Sequence, residues 1–263
     1  HLQDPLSEYF PLYVRETQDT LFADTRPHIN VRPELFDLLL YTQSVSEQER
    51  EGIGKALFYH TLAVSYTPAY KSENYSYLMQ DWPRIPIPAE REALEASARL
   101  GQQVADLLRP DMPFHPAPEV IRLGVPTRVD AGQLTDADLR VTVRYSGVGK
   151  YEPPRETASG LIGGRLWWNT DCFWNDVPPE VWAFTIGGYP VVKKWLDYRH
   201  ESKLGRPLRL EEVLYVQEMI QRIASLLALG PRLDANYAAV KSNTLPLDLA
   251  RLGKQTLLAE PDE

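Results

Sequence analysis

The sequence predicts an α+β fold, with an N-terminal helical part, a β-rich antiparallel middle and C-terminal helices. Three observations predict it. Ala89–Leu108 is a run of strong helix formers with Leu94, Ala98, Val104, Leu107 and Leu108 on one side. Between residues 119 and 186 the pattern changes to alternating or β-branched stretches. From Pro190 onward helical spacing returns, most strongly over Leu210–Leu229. Elements grouped in blocks favour a mainly antiparallel sheet over a βαβ arrangement.

In order, residues 1–32 read as irregular, with short extended pieces such as Phe10–Val14. Pro33 opens a helix to about Tyr41, with Leu35, Leu38 and Leu39 on one side. Ser46-Glu47-Gln48-Glu49 is a capping-box pattern ahead of an apolar stripe through Ile53, Leu57 and Leu62. Thr67-Pro68 opens a Tyr-rich helical segment over 69–80. Pro83, Pro86 and Pro88 force an extended connection. Strands are expected over Glu119–Val129, Leu139–Tyr145 and Val181–Ile186, and a hairpin where Gly163–Trp168 and Cys172–Asn175 flank Asn169-Thr170-Asp171. The division expected is a helical subdomain, 1–112, and a β-rich recognition subdomain with C-terminal helices, 113–263.

Composition narrows the function. The chain has 263 residues, 43% hydrophobic and 24% charged, as globular proteins do. No run approaches the roughly 18 apolar residues of a membrane helix. The start, HLQDPLSEYF, lacks the basic and apolar regions of a signal peptide and reads like a fragment of a longer chain. Cys172 is the single cysteine, which excludes an internal disulfide and a multi-cysteine zinc site and fits a reducing, cytoplasmic location. The net charge is −8, against a general nucleic-acid binder, but its distribution is uneven. Residues 1–50 carry four Lys/Arg and nine Asp/Glu, whereas 181–209 carry six and two. A local basic surface on an acidic chain is enough to meet a phosphate.

Signatures of catalysis are missing. The sequence contains no Walker A, GxGxxG, HExxH or GxSxG motif. The five histidines lack ligand spacing, His60 lies on an apolar helix, and Cys172 lies in an aromatic strand as a buried thiol would. Asp197, Glu201 and Lys203 read as a solvated charge cluster. The expectation is a chain with no catalytic residues, no metal and no cofactor of its own. Binding equipment remains. Lys150, Tyr151, Arg155 and Ser159 sit on a long polar loop, a usual place for recognition, though equally the composition of a loop without ligand. IGGYPVVKKWLDYR, Ile186–Arg199, reads as a strand-to-helix corner: glycines for the turn, Trp195 and Leu196 inward, Lys193 and Lys194 outward. The lysines and Arg199 serve either solubility or phosphate binding.

Three blocks carry a family resemblance: EYFPLYVRE (Glu8–Glu16), ALFYHTLAVSYTPAYKSENYSYLMQDWPRIPIP (Ala56–Pro88) and VPPEVWAFTIGGYPVVKKWLDYR (Val177–Arg199). In this order they resemble the C-terminal region of type ISP restriction-modification enzymes and related adenine-specific DNA methyltransferases, over roughly residues 8–230. The resemblance implies a DNA target-recognition domain of a bacterial restriction or phage-defence system. Its partners would be double-stranded DNA and the methyltransferase, nuclease and ATPase domains of the parent enzyme, where S-adenosylmethionine would bind. Neither Pro-Pro pair, 153–154 or 178–179, sits in the loop with which amino-methyltransferases hold a flipped base. Lys150, Tyr151, Arg155, Ser159, Lys193, Lys194 and Arg199 are the expected DNA contacts, chosen by loop position and charge. The alternative is a protein-interaction domain of the same system, which would expose an apolar patch such as Tyr66, Tyr70, Tyr75 and Tyr77.

Overall fold

The computed structural model describes residues 11–14, 27–42, 46–145, 150–157 and 160–246. In chain order these form β1 (Tyr13–Val14), β2 (His28–Ile29), α1 (Pro33–Thr42), α2 (Arg50–Tyr66), α3 (Pro68–Glu73), α4 (Tyr75–Leu78) and α5 (Arg91–Leu108). Then follow β3 (Val125–Arg128), β4 (Tyr151–Glu152), β5 (Arg155–Thr157), β6 (Gly160–Ile162), β7 (Arg165–Trp167) and β8 (Cys172–Asn175). The chain continues through α6 (Pro179–Trp182), β9 (Thr185–Ile186), β10 (Tyr189–Pro190), α7 (Val191–Asp197), α8 (Glu201–Leu204), α9 (Leu210–Ala228) and α10 (Gly230–Ser242). The mixed α+β class expected from the sequence is the class observed. Two compact units result, one of residues up to Asp106 plus those from Gly230, the other Leu107–Leu229.

The first unit is helical. α1, α2 and the start of α5 bury Phe36, Leu39, Ile53, Leu57 and Leu94, with Ile29, Ile87 and Leu245 closing the cluster. α2 and α5 approach closely because Gly101 is a glycine: a Cβ there would collide with the Tyr59 carbonyl. The extended PRIPIP segment is tied down by its backbone. Leu245 N–H donates to Ile87 O (2.7 Å) and Ala89 N–H to Asn243 O (3.1 Å). Ser46 N–H donates to Glu49 Oε2 (3.0 Å), half of the capping box its motif predicts; the hydroxyl donates to the same oxygen (2.8 Å) while Glu49 N–H goes to the Ser46 carbonyl (3.0 Å), and Glu47–Glu49 is a tighter 3₁₀ turn ahead of α2. The Arg91 guanidinium and those Ser46 donors hold the Glu49 carboxyl down at about 2.

A buried polar relay crosses this unit. His60 is fully buried, with Nδ1 2.7 Å from Ser97 Oγ and Nε2 2.8 Å from the Pro86 carbonyl. A carbonyl can only accept, so Nε2 carries the proton and Nδ1 accepts from the Ser97 hydroxyl. Asn236 Nδ2 on α10 donates to the same Ser97 oxygen (2.9 Å). One neutral imidazole thus links α2, α5, α10 and the PRIPIP segment.

The second unit is built on a four-stranded antiparallel sheet ordered β3-β8-β7-β4. Thr127 and Trp167 both stand opposite Phe173, and Leu166 opposite Trp174. Alternation therefore sends Leu166, Cys172 and Trp174 to one face, where they are buried with Trp168 against Val192 and Leu196 of α7 and Val213, Val216 and Ile220 of α9. The expected 165–175 hairpin is present, and its turn is held by Asn169, whose Oδ1 accepts from the Asp171 and Cys172 N–H groups (2.9 and 2.7 Å).

Three expected strands are corrected. Of Glu119–Val129 only Val125–Arg128 is a strand; residues 118–124 turn, held by Gln221 Nε2 donating to the Ile121 and Leu123 carbonyls (3.0 and 3.2 Å). Leu139–Tyr145 keeps its alternation, burying Leu139, Val141, Val143 and Tyr145, but forms no ladder. Its carbonyls at Leu139 and Val141 accept instead from Leu208 and Glu201 N–H (2.8 and 2.9 Å). Val181–Ile186 begins in helix α6, because Pro179 occupies its first turn, and only Thr185–Ile186 is extended.

Burial pushes the His60 pKa down, so the folded unit binds fewer protons at this residue than the unfolded chain. Its stabilising contribution is complete above the unfolded value of about 6.5 and is lost as pH falls below it, by up to about 1.4 kcal/mol per pH unit. Thermal melts between pH 8 and 5 are expected to show this fall, and His60→Gln to flatten it over the same window.

Candidate nucleic-acid interface

The corner that drew attention in the sequence is a β-hairpin followed by a helix. β9 and β10 pair antiparallel, Ile186 opposite Tyr189 and Thr185 opposite Pro190. Gly187 and Gly188 form the turn with φ of 55° and 81°, and positive φ at both central residues is the type I′ requirement that glycine meets without strain. Pro190 then precedes α7, whose Val192 and Leu196 are fully buried. Lys193 and Lys194 are partly exposed, and the Lys194 ammonium lies 5.8 Å from the centre of the Tyr189 ring.

Arg199, two residues past the end of α7, is committed internally. Its guanidinium lies 3.6 Å from the centre of the Trp195 ring, and Trp195 stacks in turn on Tyr215 of α9 (5.6 Å, 28°). Nη1 donates to the Trp195 carbonyl (3.4 Å), and Nε is 3.7 Å from Glu212, a carboxylate that Arg206 also holds at 2.7 Å. Trp195 is therefore half-buried beneath a cation rather than part of the deep core.

Tyr151 is also occupied. Its hydroxyl donates to the Val177 carbonyl (2.9 Å), its ring stacks on Trp182 (5.7 Å, 19°), and burial with Glu180 nearby raises its pKa to about 12. The Lys150 carbonyl accepts from Trp167 N–H (3.0 Å), fixing the backbone that presents the Lys150 side chain. Arg155 is exposed on β5, and Ser159 lies outside the described residues. Of the expected contacts, Lys193 and Lys194 share α7, Lys150 and Arg155 flank β4 and the start of β5, and Tyr151 and Arg199 have their polar groups turned to the protein.

Sequence reasoning passed over Arg165. It lies with Trp167 and Phe173 on the sheet face opposite the core, its guanidinium 4.7 Å from the Phe173 ring centre. The buried Nε of Arg165 and Nε1 of Trp167 find no acceptor among the described residues. The period of two in RLW and CFW is the signal that marks this face.

The tyrosine patch of the interaction reading does not form. Tyr70 is buried, donating to Arg84 O (3.2 Å) and meeting Tyr237 edge-on, and Tyr66 and Tyr77 are partly buried, so only Tyr75 stands clear. Cys172 is buried, and burial pushes its thiol up to about 11, which removes thiolate chemistry at neutral pH. Among the described residues no group of three or more His, Cys, Asp or Glu is placed to hold a metal ion, and no helix is long and apolar enough to cross a membrane.

A family model described as the Type ISP C-terminal specificity domain matches residues 2–221. This chain belongs to that family. No curated protein matches it. Among solved structures, the cryo-EM DrdV–DNA complex is 16% identical with a TM-score of 0.53, covering 90% of this chain and 21% of that one. The ATP-dependent type ISP restriction-modification enzyme LlaBIII bound to DNA is 14% identical, over 86% of this chain and 13% of that one, with a TM-score of 0.47. A nuclease-deletion mutant of the type ISP enzyme LlaGI with a DNA substrate mimic is 16% identical, over 69% and 16%, with a TM-score of 0.42. The specificity domain thus spans about a fifth or less of each enzyme it resembles. The likeness to DrdV is one of fold.

Because the Tyr151 hydroxyl is spent on Val177, Tyr151→Phe is expected to lower stability by about 1–2 kcal/mol in urea unfolding, the cost of an orphaned carbonyl.

Proposed function

We propose that this specificity domain recognises a short sequence in double-stranded DNA and positions it for adenine methylation, or cleavage, by the methyltransferase, nuclease and ATPase parts of a cytoplasmic bacterial restriction or phage-defence enzyme. The observation that carries the reading is the family match across residues 2–221. S-adenosylmethionine belongs to the methyltransferase part, which would also draw the target adenine from the stack. In this reading Lys193, Lys194, Lys150 and Arg155 meet phosphates and fix register. Ser159, outside the described residues, is retained as an expected contact. Tyr151 and Arg199 act indirectly, Tyr151 by holding the strand after Lys150 and Arg199 by holding Trp195 against α9.

The net charge of −8 shapes the expected behaviour. Contact through a few cations on an acidic body gives weak binding that salt abolishes, because affinity falls with a slope of about 0.9 per neutralised phosphate. Fluorescence anisotropy of the chain with a random duplex library, at low and moderate salt, tests this. Salt-dependent binding is expected, and Lys193→Ala/Lys194→Ala should weaken it and lower the salt slope by up to about two. Binding unchanged in that variant would remove α7 from the interface, and no binding at low salt would remove direct DNA contact by this domain.

A further inference from the structure

We infer that the β9–β10 hairpin is a base-reading ribbon, with Ile186 and Tyr189 making apolar contact with base edges in the DNA major groove. The inference rests on the DNA-recognition reading above and assigns within it residues that charge could not indicate.

Ile186 and Tyr189 stand directly opposite each other across the ribbon, so both side chains lie on one face. They are 45% and 54% exposed. Two apolar side chains exposed together on one face of a ribbon form a small surface that a partner can cover. The tip between them has no side chains, and a Cβ added at Gly187 or Gly188 would find nothing within 4 Å. The tip is therefore both narrow and free of neighbours. A two-stranded ribbon fits the major groove, where thymine methyl groups offer apolar surface.

Charge indicates which partner. The hairpin leads straight into α7, where Lys193 and Lys194 are partly exposed and Asp197 is the single acid. Lys194 lies over the Tyr189 ring. An apolar tip with cations at its base matches a groove lined by phosphates. The base of the hairpin is firmly anchored: Val191 N–H donates to Phe184 O (3.1 Å), and Val192 and Leu196 are fully buried. A reading element needs such a rigid base, since base discrimination depends on fixed geometry.

The test is selection of binding sites from a random-sequence duplex library by the full chain, wild type beside Ile186→Ser/Tyr189→Ser. Ile186→Thr, which keeps the β-branched shape a strand favours, serves as a milder second variant, and thermal melts confirm that each is folded. The wild type is expected to enrich a motif. The double variant should enrich the same motif with one or two adjacent base pairs degenerate, and bind the wild-type motif on the order of ten-fold more weakly with its salt slope unchanged. Ile186→Thr should fall between. If both variants enrich the wild-type motif with wild-type affinity, the inference is overturned and the hairpin meets another part of the enzyme instead. If the wild type binds duplexes but enriches no motif, base reading by the hairpin fails while phosphate contact stands. If the wild type binds no duplex, the DNA-recognition reading itself falls, and the hairpin inference with it.

Discussion

The second unit depends on the burial of one pair of tryptophans. Trp168 and Trp174 are both fully buried with ring centres 4.4 Å apart. Each indole removes on the order of 200 Å² from water, about 5 kcal/mol of favourable transfer. Each also carries an N–H that costs about 1–3 kcal/mol if left alone in the core. Both are satisfied by backbone from outside the sheet: Trp168 Nε1 donates to Asp138 O (2.7 Å) and Trp174 Nε1 to Val213 O (3.1 Å). The two bonds fix the 136–145 segment and α9 against the same sheet face. Asp138 is itself fixed, its carboxylate accepting from Thr135 N–H and Oγ and from Arg128 (2.7, 2.6 and 3.1 Å).

That anchoring determines what the rest of the unit presents. With α9 seated on the sheet, α7 has one place to bury Val192 and Leu196, and its lysines follow from the helical repeat. The opposite end of α7 is held by the stack of Arg199 on Trp195 on Tyr215, so the helix is pinned along its length. The hairpin projects from the start of this helix. A hairpin on a rigid base loses little conformational entropy when a partner meets it.

The charge distribution suits a domain that works as part of a larger enzyme. On the reading proposed above, an acidic body would discourage indiscriminate binding along a genome, while a small basic corner would meet phosphates where the sequence is read. On that reading the other parts of the enzyme would supply affinity, through the high local concentration that tethering gives.

The sequence by itself determined the class of the fold, most helices, the 165–175 hairpin with its Asn169 turn, and the family, because periodicity, proline and turn chemistry are local properties. His60 as a core residue and Cys172 as an inert thiol were equally legible, from the apolar company each keeps in the chain. Leu139–Tyr145 shows where local reading ends. Its alternation correctly marked one side as buried, but whether an extended segment joins a ladder depends on which neighbour offers its N–H groups, and here these come from Glu201 and Leu208, some sixty residues on. At the candidate site, charge picked out the cations but could not tell committed from free ones. Only the tertiary structure placed Arg199 on Trp195 and the Tyr151 hydroxyl on Val177, set Arg165 beside Phe173, and left Ile186 and Tyr189 about half exposed. Exposure and partnership are sums over segments distant in sequence, and no local pattern carries them.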